Sequence, residues 1–245
     1  MARFINGTGI RLLRLVVALV LLASLIASTA QTTHAYPWPP VLHRGMKGSA
    51  VKELQIRIAG WAADSPTRTF VELDGSFGPQ TEAAVRRFQR AYGLQVDGRV
   101  GPQTQAQLNR MEEADQSTIN FDWSEFYSKD GSGFRGGKVS EATVRENIRR
   151  LMWKLEALRK KAGDNPVNIN SGFRSVAHNS RVGGSSNSQH MYGLAADIRV
   201  TSRSPNQIQN YAKTCGFSGI IRYSTFVHVD SRIEYPYGSQ QWWWP

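Results

Sequence analysis

Apolar positions along this chain keep three rhythms. From residue 15 to 27 the run LVVALVLLASLIA is unbroken. Between residues 42 and 162 the spacing turns helical. Val51, Leu54 and Ile58 form one stripe, Ala84, Val85, Phe88 and Ala91 a second, and Val144, Ile148, Leu151, Met152, Leu155 and Leu158 a third. After residue 166 the period shortens to two, which predicts strands over 167–171, 194–200 and 226–230. In the middle strand Ala196, Ile198 and Val200 share the core face, and Ala195, Asp197 and Arg199 the other. In the last, Val227 and Val229 turn inward while His228 and Asp230 share the opposite face.

Turn formers set the ends. Asp164-Asn165-Pro166 closes a long helix over 141–162. Ser204-Pro205 opens another that runs to about Thr214; Gly216 stops it, and residues 219–223 lead to the last strand. The segment 73–81, LDGSFGPQT, recurs as VDGRVGPQT at 96–104. In each copy Asp-Gly makes a tight turn and Gly-Pro-Gln-Thr starts a helix. The fold expected is an α+β domain with a small antiparallel sheet, preceded by a small three-helix domain.

The first rhythm is too short for a membrane span, which takes about 20 apolar residues. Arg3, Arg11 and Arg14 lie near its start, and Thr33-His34-Ala35 or Ser28-Thr29-Ala30 offers a small-residue cleavage site. Residues 1–35 therefore read as a signal peptide. The mature protein is expected to be secreted or held at the cell wall, monomeric and without stable membrane insertion. Residues 36–40, YPWPP, form a stiff extended lead-in. The domains expected are 42–110 and 118–245, joined by an acidic polar linker, MEEADQST. Each should stand alone.

Charge narrows the partners. The net charge is +11, and three positive charges precede residue 35 with no acid beside them, leaving +8 downstream. Such a balance favours a polyanion. No basic block is long enough for a nucleic-acid arm, so no nucleic acid is expected; for an exported chain an anionic cell-wall polymer or a membrane surface fits better. The single cysteine, Cys215, excludes an intrachain disulfide and a cysteine-based zinc cluster; a buried apolar role is expected for it.

The chemistry gathers in 171–200, SGFRSVAHNSRVGGSSNSQHMYGLAADIRV, and in 226–230. If strands 194–200 and 226–230 pair, His190, Asp197 and His228 converge. Two imidazoles and a carboxylate, with a fourth position for water, are the ligands of a catalytic zinc site. Asp230, on the face of His228, can act either as general base or as acceptor for a ligand imidazole; the base is slightly favoured. His178 is a weaker loop candidate. Trp242, Trp243 and Trp244 cannot all share one face, and no pattern here assigns them a task.

Two resemblances follow from these residues. GMKGSAVKELQIRI with the doubled DGxxGPQT resembles the peptidoglycan-binding domain beside many bacterial wall hydrolases, which implies peptidoglycan as partner. Ser188, His190, Gly193, Ala195 and Asp197, with the downstream pair His228 and Asp230 and the SGFRS loop, resemble the zinc D-alanyl-D-alanine carboxypeptidase family. That resemblance implies one zinc on His190, Asp197 and His228, Arg174 holding substrate beside the scissile bond, and Ser188 among the substrate-binding residues. Some relatives carry a glutamate base three residues before the last ligand; Thr225 stands there in this chain. The activity implied is D-alanyl-D-alanine carboxypeptidase. The alternatives are an endopeptidase of wall cross-links, or a wall-binding protein whose zinc is structural.

Overall fold

The structure is a computed structural model describing residues 35–237 and 240–245. The expected signal peptide lies outside the described residues except for Ala35. Among those residues no helix is long and apolar enough to cross a membrane.

Three helices build the first region: α1 (Ser49–Arg57), α2 (Pro79–Ala91) and α3 (Pro102–Arg110). The two repeats open α2 and α3 identically, with an extended glycine as cap and proline at the first turn, where no backbone donor is needed. A buried glutamine locks each repeat loop. Gln55 Nε2–H donates to Asp74 Oδ1 at 2.7 Å, and its Oε1 accepts from Gly75 N–H at 2.8 Å. Gln89 does the same with Asp97 (2.9 Å) and Gly98 (2.9 Å). Thr81 and Thr104, the last residues of the two repeats, complete the pairs at 3.2 and 3.1 Å. The repeat is thus a hydrogen-bonded unit whose glutamine comes from the preceding helix.

The second region has α4 (Glu141–Lys161), β1 (Val167–Ser171), α5 (Val176–Arg181), β2 (Ala195–Val200), α6 (Pro205–Ala212), β3 (Gly219–Arg222) and β4 (Val227–Asp230). The strands form one antiparallel sheet in the order β1-β2-β4-β3. The expected fold class holds, and so do the strand faces: Ala196, Ile198, Val227 and Val229 lie in the core. The loop 171–194 holds more order than its composition suggested. Ser175 Oγ accepts from His178 N–H (2.9 Å) and caps α5. A 3-10 turn at Gln189–Tyr192 follows, ended by Gly193 in the left-handed region at φ 74°.

Helix α4 departs from the one-sided stripe. Residues 147–158 are all buried, because α1, α6 (Pro205–Ala212) and the 3-10 turn at Gln189–Tyr192 pack around the helix. Its buried charges are answered. Arg149 reaches Glu53 and Glu112, Lys154 and Arg150 reach Glu234, and Glu156 accepts from Asn120. The segment 111–118 differs from the solvated linker expected of it: Met111, Glu112, Ser117 and Thr118 are buried. Glu112 is polar because it answers Arg57 at 2.5 Å and Arg149 at 2.9 Å. One continuous core joins the two regions, running from Leu54 and Phe88 through Met152 to Val229. Freely separable modules are not what this packing provides. Cys215 is buried, as expected.

Candidate metal centre

Register decides the site. Across β2 and β4, Asp197 stands opposite His228 and Ala195 opposite Asp230. Facing residues in a pair lie about 4.5–5.5 Å apart, so the carboxylate and imidazole meet on one face. His190 reaches the same point from the 3-10 turn before β2. His228 Nδ1 lies 2.9 Å from Asp197 Oδ1 and 3.2 Å from His190 Nε2, and the last pair closes at 3.3 Å. All three residues are buried or nearly so.

Hydrogen bonds assign the ring protons. His190 Nδ1 faces the Gly172 carbonyl at 2.6 Å and must donate to it. His228 Nε2 faces Asp230 Oδ2 at 3.0 Å and donates likewise. Each ring therefore spends its outer N–H on an acceptor and turns its inner nitrogen toward Asp197 Oδ1. Three acceptors so close repel unless a cation or a proton lies among them. Burial pushes the His190 pKa down. Burial would lower His228 too, but Asp197 and Asp230 outweigh it and raise that ring to about 9. Asp197 is held well below the usual carboxylate range by the two imidazoles, against its burial.

Other expected residues take definite places. Arg174 donates from Nη2 to Asp197 Oδ2 (2.6 Å) and from Nε to Ser171 Oγ (2.9 Å), so it aims the carboxylate whose other oxygen meets the imidazoles. It also lines a cleft of about 540 Å³ over the site, as does Ser188, which caps the 3-10 turn of His190. Asp230 lies on the far side of the His228 ring and is wholly buried. Its carboxylate also accepts from Arg232 Nη2 at 2.6 Å. It faces the outer nitrogen of His228 and accepts the ring N–H there. His178 sits on α5 and is not among the cleft residues, and the Thr225 carbonyl accepts from Arg199 Nε at 3.0 Å.

Sequence reasoning passed over Gly219 and Arg232. A Cβ built at Gly219 would overlap the Asp230 carboxylate. A glycine inside a strand is the signal for such a close approach. Arg232 lies two residues past Asp230 in the chain, a spacing that could have suggested it.

A family model described as Peptidase M15 matches residues 120–230, and one described as a putative peptidoglycan binding domain matches 47–108. The zinc D-Ala-D-Ala carboxypeptidase of Streptomyces albus G is 43% identical over 199 residues, covering 81% of this chain and 76% of that protein. The chain belongs to the peptidase M15 family. It is thus a hydrolase that pairs an M15 domain with a peptidoglycan-binding domain. Two solved structures share shorter stretches with this M15 peptidase. The SleB N-terminal domain is 36% identical over 29% of this chain and 92% of its own, at a TM-score of 0.25. A peptidoglycan-binding protein from Clostridioides difficile, in complex with glutamine hydroxamate, is 38% identical over 29% of this chain and 40% of its own, at 0.24.

Proposed function

We propose that this M15 peptidase removes the terminal D-alanine from peptidoglycan stem peptides, holding one zinc ion through His190 Nε2, Asp197 Oδ1 and His228 Nδ1. The observation that carries the reading is the convergence of those three atoms with both outer ring N–H groups already spent. The donor set suits zinc. Tetrahedral bonds of about 2.0–2.2 Å set ligand atoms roughly 3.3–3.6 Å apart, slightly wider than the 2.9, 3.2 and 3.3 Å here. The metal supplies Lewis acidity and a nucleophilic water at neutral pH.

The chain's own groups do the rest. Gly172 and Asp230 fix the two imidazole tautomers, and Arg232 holds Asp230 in place. Arg174 aims Asp197 and lines the cleft, where its remaining N–H donors suit a substrate carboxylate or carbonyl. Ser188 offers a hydroxyl from the cleft edge. Among the described cleft residues Asp197 is the sole carboxylate, so we assign Asp230 to positioning. Residues 42–110 serve as the wall-binding part and 118–245 as the catalytic part. The protein acts on the wall as a secreted monomer, without stable membrane insertion and with no nucleic acid as partner.

Product masses test this. The zinc-loaded protein is incubated with synthetic peptides ending in D-Ala–D-Ala and with isolated wall fragments. Loss of one alanine per chain is expected. Scission of cross-links with the terminal alanine intact would make it an endopeptidase instead. No product from either substrate would leave a wall-binding protein.

A further inference from the structure

The segment 241–245 runs beside β3 and extends the sheet. Trp243 N–H donates to the Ser218 carbonyl and the Trp243 carbonyl accepts from Ile220 N–H, both at 2.8 Å. In extended chain, neighbouring side chains take opposite sides, and the three tryptophans divide by that rule. Trp242 lies against Phe70, with ring centroids 6.4 Å apart. Trp244 donates Nε1–H to the Phe217 carbonyl at 3.2 Å and packs under Arg68. Trp243 turns the other way and lines the cleft. The Arg232 guanidinium stands 5.0 Å from its ring centre, yet the residue remains 49% exposed. The stacked pair Tyr223 and Phe226, 4.4 Å apart, also lines the cleft.

A large aromatic left half exposed in a cleft, while its two neighbours are partly buried on the other side, is placed to meet a ligand. The sheet fixes how far from the reaction it lies. β3 separates this segment from β4, and Trp243 stands level with Gly219 and Asp230, two residues along β4 from His228; two strand spacings and two residues of rise combine to roughly 12 Å. An extended peptide covers about 3.3–3.6 Å per residue. A group resting on Trp243 while an amide lies at His228 is therefore about three residues from that amide. That is peptide, not glycan, if the bond cut is near the end of a stem peptide.

We propose that Trp243 is a specificity-determining residue: its exposed ring receives the apolar flank of the stem peptide, about three residues from the amide being cut. Phe70 and Arg68 come from the first region, so that region helps hold one wall of the cleft. The inference rests on the proposed peptidase reading but has its own readout.

The test uses the full zinc-loaded chain and peptides of two to five residues ending in D-Ala–D-Ala. For the longest peptides Trp243→Ala should raise KM about five- to tenfold, with kcat and zinc content unchanged. The dipeptide should not respond. Trp243→Phe should stay close to wild type, which separates ring contact from misfolding. Equal loss at every peptide length, or no loss at all, would each overturn the proposal. If the wild type cuts none of the peptides, the carboxypeptidase reading falls. Calorimetric affinities of the same uncut peptides for wild type and Trp243→Ala would still decide the role of Trp243.

Discussion

The repeat loops and the metal centre treat buried polar groups in opposite ways. Gln55 and Gln89 are nearly inaccessible, and each puts both ends of its amide into bonds with its own repeat loop. His190 and His228 are also buried, and their outer nitrogens donate to the Gly172 carbonyl and the Asp230 carboxylate. Their inner nitrogens crowd a third acceptor. A saturated polar network builds shape and asks for nothing further. An arrangement of like acceptors costs free energy unless something positive completes it. The contrast separates structural from reactive polarity within one chain.

The sharpest way to break that contrast is to remove an inner acceptor. His190→Ala and His228→Ala should each abolish hydrolysis and weaken zinc binding by more than about 100-fold, read by metal analysis after dialysis. His178→Ala, outside the cleft, should keep its zinc. Full occupancy in either ligand variant would remove the assignment.

Loosening an outer bond should cost less. Asp230→Asn still presents an oxygen, so zinc affinity should fall by roughly 10- to 100-fold, with most of the turnover restored at saturating zinc. Gly219→Ala, whose added methyl displaces the Asp230 carboxylate, should do the same. Turnover that stays low with zinc saturated would instead make Asp230 the base.

On the saturated side, Gln89→Ala strands the Gly98 N–H and Thr104 and leaves Asp97 Oδ1 with the Arg99 N–H alone. It should cost about 1–3 kcal/mol of stability in chemical denaturation while zinc affinity stays as it was. A Gln89 variant with full stability would mean that the glutamine lock is ornamental.

The smallest effect concerns a proton. With its pKa raised to about 9, His228 is protonated at pH 7, whereas burial keeps His190 neutral. Zinc needs the lone pair on His228 Nδ1, so binding should expel about one proton per metal at pH 7, and progressively less as pH rises past 9. Calorimetry in buffers of different ionisation enthalpy measures this. Zero release at pH 7 would show that the ring is already neutral there.

Much was legible in the chain alone because periodicity is local. Alternation in 194–200 and 226–230 placed Asp197, His228 and Asp230 on their faces before any pairing was known, and the Asp-Gly and Gly-Pro-Gln-Thr steps fixed where α2 and α3 begin. What periodicity cannot carry is the partner across space. Only register put Asp197 opposite His228, and only the carbonyl of Gly172 and the carboxylate of Asp230 chose which imidazole nitrogens face inward. The same holds for Glu112, polar in sequence and buried in fact, because the arginines that answer it come from α1 and α4. The tryptophans show the division plainly. That three in a row cannot share a face follows from backbone geometry, but which one meets the cleft was settled by the edge of β3, where the segment finds its hydrogen bonds.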